Sequence, residues 1–184
     1  PEMSRGLGDV YKRQVVTALP QKNIFFVPDE NLGRYIGSKL PEKNFIYNDG
    51  FCHVHRSITA ENVKKAKEVH PEAEVLVHPE CTPDVVALGD YVGSTSGIID
   101  YATASDKDVF IICTEMGVLY ELKQKNPGKT FYSVGHRQFC PNMKRISLEN
   151  VRDTLRDMKN QVELPEELRL NAKKALDEML RIAQ

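Results

Sequence analysis

Short apolar runs alternate with segments of helical period, and connections of only a few residues join them. This feature restricts the chain more than any other. Residues 23–27, 44–48, 74–78, 90–92, 108–113 and 129–134 each read as a strand. Helical segments at 30–40, 59–69, 84–88, 98–103 and 115–124 lie between them. Continuous apolar strands next to helices of similar weight point to parallel sheets covered on both faces. The expected class is therefore α/β, built as three-layer αβα domains with right-handed crossovers. Pro20 stops a helix whose tail is 15–19, and Pro41 closes the helix at 30–40. Thr59 caps a helix with Ala60, Val63, Ala66 and Val69 on one face. Thr82-Pro83 supplies a cap and a first-turn proline.

The two ends differ from this pattern. Residues 1–14 carry neither period. Their stretch 6–14, Gly-Leu-Gly-Asp-Val-Tyr-Lys-Arg-Gln, resembles translated adapter read-through and is set aside as a non-native leader. The other reading of that stretch is a short native helix. Ser147 caps a helix from 148 to about 160, and Pro165 opens a last one. Leu168, Ala172, Ala175, Leu176, Met179 and Leu180 share its apolar face, and no strand accompanies it.

A chain of 184 residues holds one domain or two small ones with a real core. A formal net charge of −1 gives neither the basic footprint of a nucleic-acid binder nor a polybasic membrane patch. No apolar run reaches the length of a membrane span, and no apolar h-region marks a signal peptide. Cys52, Cys81, Cys113 and Cys140 stand far apart without a Cys-x-x-Cys, unlike a secreted disulfide framework. The expectation is a reducing cytoplasm.

In open parallel sheets, ligands bind outside the carboxyl ends of the strands. Here those ends carry Cys52-His53-Val54-His55, His78-Pro79-Glu80-Cys81, Gly93-Ser94-Thr95-Ser96-Gly97, Cys113-Thr114-Glu115, and then His136, Cys140 and Lys144. Cys-x-x-His suits zinc, an iron–sulfur cluster or no metal at all. Strand alternation would point His53 away from Cys52. His78 and Glu80 share one face, which suits acid–base work with a carboxylate steering an imidazole. Residues 93–97 offer backbone N–H groups and hydroxyls to an anion at a helix N-terminus, or form an ordinary capping turn. Cys81 and Cys113 read as packing residues, His70 as a solvated helix end, and Lys144 and Arg145 as exposed. Gly128-Lys129-Thr130 hints at a phosphate loop. It lacks the leading glycine and runs from helix into strand, so it is rejected.

Together with Phe26-Val27-Pro28-Asp29-Glu30-Asn31-Leu32-Gly33, these motifs resemble the A-type quinolinate synthase family of NAD biosynthesis, in order and spacing across 15–184. The resemblance implies three α/β domains around a pseudo-threefold axis. It implies a transferase that condenses iminoaspartate with dihydroxyacetone phosphate to quinolinate, releasing phosphate and water. Each domain would give one cysteine to a 4Fe-4S cluster. Carried over, Cys52 and Cys140 resemble two of the cluster ligands, and His55 a substrate-contacting histidine beside them. His78 and Glu80 resemble the catalytic pair that also lines the substrate pocket. Thr95, with Ser94 and Ser96, resembles the hydroxyls that hold a substrate anion. Three thiolates on four irons would leave one iron open as a Lewis acid.

The family's third cluster cysteine, two pocket tyrosines and part of its phosphate site belong upstream of Val15. The implied organisation is the end of a second domain at 15–55, a third domain at 56–140, and helices at 141–184 that pack on a first domain. On this reading the isolated chain holds a cluster poorly and is inactive. A functional link to L-aspartate oxidase is implied, with no nucleic acid or membrane partner. Two rivals remain on the residues alone. One is a zinc hydrolase using Cys52, His55, His78 and Glu80. The other is a non-enzymatic module binding a phosphorylated metabolite at 93–97.

Overall fold

Two parallel sheets organise the chain. The computed structural model describes residues 9–135 and 138–182. They fall into two compact units, Pro1–Phe139 and Cys140–Gln184. In the first unit β1 (Asn23–Phe26) pairs with β2 (Asn44–Tyr47), Ile24 opposite Phe45. A separate four-stranded sheet contains β3 (Glu74–Val77), β4 (Tyr91–Val92), β5 (Val109–Cys113) and β6 (Thr130–Ser133), in the order β4-β3-β5-β6. Every pairing in both sheets is parallel, so the α/β class holds.

The four-stranded sheet is covered on both faces. Helices α4 (Ala60–Val69) and α5 (Pro83–Val86) place Val63 and Val85 against Val75, Val77, Ile111 and Cys113. Helices α6 (Thr95–Ala104) and α7 (Val118–Lys125) place Ile98, Ala102 and Leu122 against Leu76, Phe110, Ile112 and Phe131. Neighbouring residues of a strand point to opposite faces, so one apolar run feeds both cores. Each such buried side chain contributes about 1.5–3 kcal/mol of transfer free energy. Thr59 caps α4 as expected, its Oγ1 accepting from Asn62 N–H. Val69 does not share the buried face and is 71% exposed. Nine steps of about 100° turn it to the side of the helix opposite Ala60.

This topology creates a switch point. The connection leaving β3 enters α5 on one face, while the connection leaving β5 enters α7 on the other. β3 and β5 are adjacent, so their exits diverge and open a crevice at their carboxyl ends.

The two-stranded sheet corrects one expectation. The run at 23–27 reads as a strand covered on both faces, yet only Ile24 and Phe26 are buried, against Val16, Leu32, Ile36 and Leu40. Phe25 is 65% exposed, with Val27 and Ile46 also open to solvent. Helices α1 (Asp9–Ala18) and α2 (Glu30–Ser38) pack on one side of this sheet, which leaves the alternate residues uncovered. α1 begins at Asp9, inside the segment set aside on sequence grounds; residues 1–8 lie outside the described ones. α2 approaches closely at Gly33, where a Cβ would stand 2.9 Å from the rings of Phe26 and Tyr47.

The second unit contains a short 3-10 turn at Met143–Arg145 and two helices, α8 (Leu148–Asp157) and α9 (Glu166–Ile182). Ser147 caps α8, accepting from Asn150 N–H. α8 ends sooner than expected, at Met158 with φ 50°. Neither helix has a buried residue, and its leucines stand open. Among the described residues no helix is long and apolar enough to cross a membrane.

Candidate metal and acid–base site

His55 is the hub of the switch-point crevice. It belongs to a one-turn helix, α3 (His53–Arg56), for which Cys52 is the N-cap residue. Three helical steps bring Cys52 and His55 to the same side, while His53 is exposed. A helical turn therefore sets His53 apart from the other two, where an extended strand would leave His53 and His55 on one face.

The buried imidazole of His55 is held at both nitrogens. Nδ1 lies 3.0 Å from Glu80 Oε2 and Nε2 lies 2.9 Å from Thr114 Oγ1. Glu80 comes from the exit of β3 and Thr114 from the exit of β5, so His55 bridges the diverging loops. His78 stacks on His55, with ring centroids 4.3 Å apart and planes 9° from parallel. The ligand atoms of Cys52, His55 and Glu80 all lie within 4.8 Å of one another.

Electrostatics sort these groups. Burial opposes a charge on His55, but hydrogen bonds to Cys52 and Glu80 more than offset it and raise its pKa to about 9. His55 is thus an imidazolium at neutral pH, with Nδ1–H donating to Glu80 and Nε2–H to Thr114. His78 is pushed the other way, to about 4, by burial and by the adjacent His55 cation. Its neutral Nδ1 accepts from Glu80 N–H at 3.2 Å. Hydrogen bonding to His55 holds Glu80 below the ordinary carboxylate range and draws the Cys52 thiol down. Cys81 and Cys113 are buried packing residues whose thiols burial raises, Cys113 to about 12.

Three positioning groups escaped the sequence reading. Asp29, 5% exposed, accepts from Leu32 N–H at 2.8 Å as the cap of α2, and from Cys52 N–H at 2.9 Å with its other oxygen. Its place between strand and helix is a legible cap signal, but the second bond is not. Thr114 stood in view at a strand end without a role. Gln138, also buried, donates from Nε2 to Thr114 O at 2.6 Å and to Ile112 O at 2.7 Å. It accepts from Val134 N–H at 2.7 Å. Nothing in the sequence marks it.

Ser94, Thr95 and Ser96 follow β4, whose end is tied to that of β3 by Gly93 N–H donating to Val77 O at 3.1 Å. Ser94 caps α6, accepting from Gly97 N–H at 3.2 Å, and Thr95 and Ser96 are exposed in its first turn. Ser94 and Gly97 line a cleft of about 200 Å³ together with Arg13, Lys39 and Tyr91. No hydrogen bond ties the three hydroxyls to His55 or Glu80 among the described residues. Cys140 opens the second unit and is half-buried there. Lys144 and Arg145 are exposed, as expected, and His136 lies outside the described residues. Lys129 is held by the carbonyls of Ala102 and Ser105, between α7 and β6, in keeping with the rejected phosphate loop.

Fold and site define a class: an α/β protein that gathers a thiol, an imidazole and a carboxylate at the switch point of a parallel sheet. Within that class, residues 11–181 match the family described as Quinolinate synthetase A protein, and the chain belongs to that family. It is 51% identical over 167 residues to a quinolinate synthase of Caldicellulosiruptor bescii, covering 91% of this chain and 55% of the relative. It is 47% identical over 171 residues to a quinolinate synthase of Clostridioides difficile, covering 93% and 56%. For quinolinate synthase 2 of Methanosarcina acetivorans the figures are 43% over 169 residues, 92% and 54%. The chain thus spans about half the length of the curated relatives it matches.

Proposed function

We propose that this chain serves quinolinate synthesis in the cytoplasm, as the part of a longer enzyme that carries the acid–base group. The reaction is the condensation of iminoaspartate with dihydroxyacetone phosphate, with loss of phosphate and water. Iminoaspartate would come from a partner such as L-aspartate oxidase. The observation that carries this reading is the meeting of Cys52, His55, His78 and Glu80 at the β3–β5 switch point. The isolated chain is expected to be inactive.

The donor set fits a 4Fe-4S cluster at one point in the first unit. Cys52 is half-buried and its thiol is drawn toward thiolate. Cys81 and Cys113 are buried and kept protonated. Such clusters are held by several thiolates, so Cys52 would act with Cys140 and a cysteine from outside this chain. When bound, the cluster supplies Lewis acidity through an iron that no thiolate occupies.

The chain's own residues supply the rest. Glu80, kept ionised by His55, takes and returns protons during enolisation and water loss. His55, as a cation, attracts anionic substrate to the crevice. Thr114 holds its ring in one orientation. Neutral His78 keeps Nδ1 on the Glu80 backbone, which leaves Nε2 to face substrate. Ser94, Thr95 and Ser96 hold phosphate or carboxylate at the start of α6, where N–H groups and the helix dipole favour an anion. In the full-length enzyme, Glu80→Gln should keep the cluster's visible absorption and lower kcat at least about 100-fold. A normal rate would remove Glu80 from the mechanism. Cys52→Ser should bleach that absorption, and retained colour would exclude Cys52 as a ligand.

A further inference from the structure

We propose that Cys52, His55 and Glu80 also form a mononuclear site for one thiophilic divalent cation, of the zinc or cobalt(II) type, when no cluster is present. This goes beyond quinolinate synthesis and does not depend on it. The argument is one of spacing. Four-coordinate zinc, with bonds of about 2.0–2.3 Å to oxygen, nitrogen and sulfur, holds its donors about 3.3–3.8 Å apart. The three ligand atoms here are already within 4.8 Å of one another, and His55 Nδ1 stands 3.0 Å from Glu80 Oε2. An ion enters by moving these two atoms apart by a few tenths of an ångström, taking the place of the proton they share, while the Cys52 sulfur closes in by up to about 1 Å.

Donor chemistry and support agree. One thiolate, one imidazole and one carboxylate form a mixed set that suits borderline cations and leaves a fourth position for water. Thr114 Oγ1 engages His55 Nε2 at 2.9 Å, which fixes the ring and turns Nδ1 toward the other donors. Asp29 fixes the backbone of Cys52 through its N–H. These are the supports that metal-binding histidines and their neighbours require. All three donors come from the first unit, so the site needs nothing from Cys140 or from another chain. An ion bound here withholds Cys52 from iron, and zinc should therefore oppose cluster assembly.

The test is a cobalt(II) titration of the cluster-free 184-residue chain under reducing, anaerobic conditions. One equivalent should bring the visible bands of four-coordinate cobalt together with a sulfur-to-metal charge-transfer band, and zinc should abolish both. Cys52→Ser should remove the charge-transfer band, and Cys140→Ser should leave it intact. Glu80→Gln and Thr114→Val should each weaken binding about 10-fold or more, with Thr114→Ser restoring it. Far-UV circular dichroism confirms the fold of each variant. A charge-transfer band that survives Cys52→Ser, that needs Cys140, or that never forms overturns the proposal. Failure of the cluster reading is seen separately, as absence of colour when the full-length enzyme is reconstituted with iron and sulfide.

Discussion

β1 and β5 are both short apolar runs, Asn-Ile-Phe-Phe and Val-Phe-Ile-Ile-Cys, yet they occupy different surroundings. β5 is buried from Phe110 to Cys113, with helices on either side. β1 buries every second residue and shows Phe25 to solvent. A run of apolar residues records the capacity to be covered on two faces. Whether a cover is present depends on elements distant in sequence.

Identical substitutions in the two strands measure that difference. Phe110→Ala removes a fully buried ring that stacks on Phe131 at 5.6 Å, and should destabilise the chain by about 3–5 kcal/mol in denaturant titration. Asp29→Ala comes next, at about 1–2 kcal/mol, because it removes the α2 cap and frees the backbone of Cys52. Asp29→Asn should recover most of this, since one acceptor still reaches Leu32 N–H. Equal losses for both substitutions would assign the whole effect to the bond with Cys52. Phe25→Ala should change stability by no more than about 0.5 kcal/mol. A loss approaching that of Phe110→Ala would show that the outer face of β1 is covered in solution.

The gathering of chemistry at one sheet edge was legible, because strand periodicity and short connections locate strand ends, and polar residues cluster just beyond them. The helix caps at Thr59 and Ser147 were legible for the same local reason. The bond between Asp29 and Cys52 was not, since it joins residues 23 positions apart through a packing arrangement no local pattern encodes. The grip of Thr114 on His55 spans 59 positions and depends on the order of strands in the sheet. The helical turn that follows Cys52 is not legible, because four residues are too few to reveal a helical period. For residues 93–97 the sequence left a capping turn and an anion site both open, and Ser94 does cap α6.

The division of the four cysteines into two buried and two half-buried has a practical consequence. An alkylating reagent offered to the native, metal-free chain should add to Cys52 and Cys140 and spare Cys81 and Cys113. In denaturant all of them should react. Intact-mass adduct counting thus supplies an unfolding assay that needs no introduced label: molecules still folded carry a pair of tags, and each unfolded one carries twice that number.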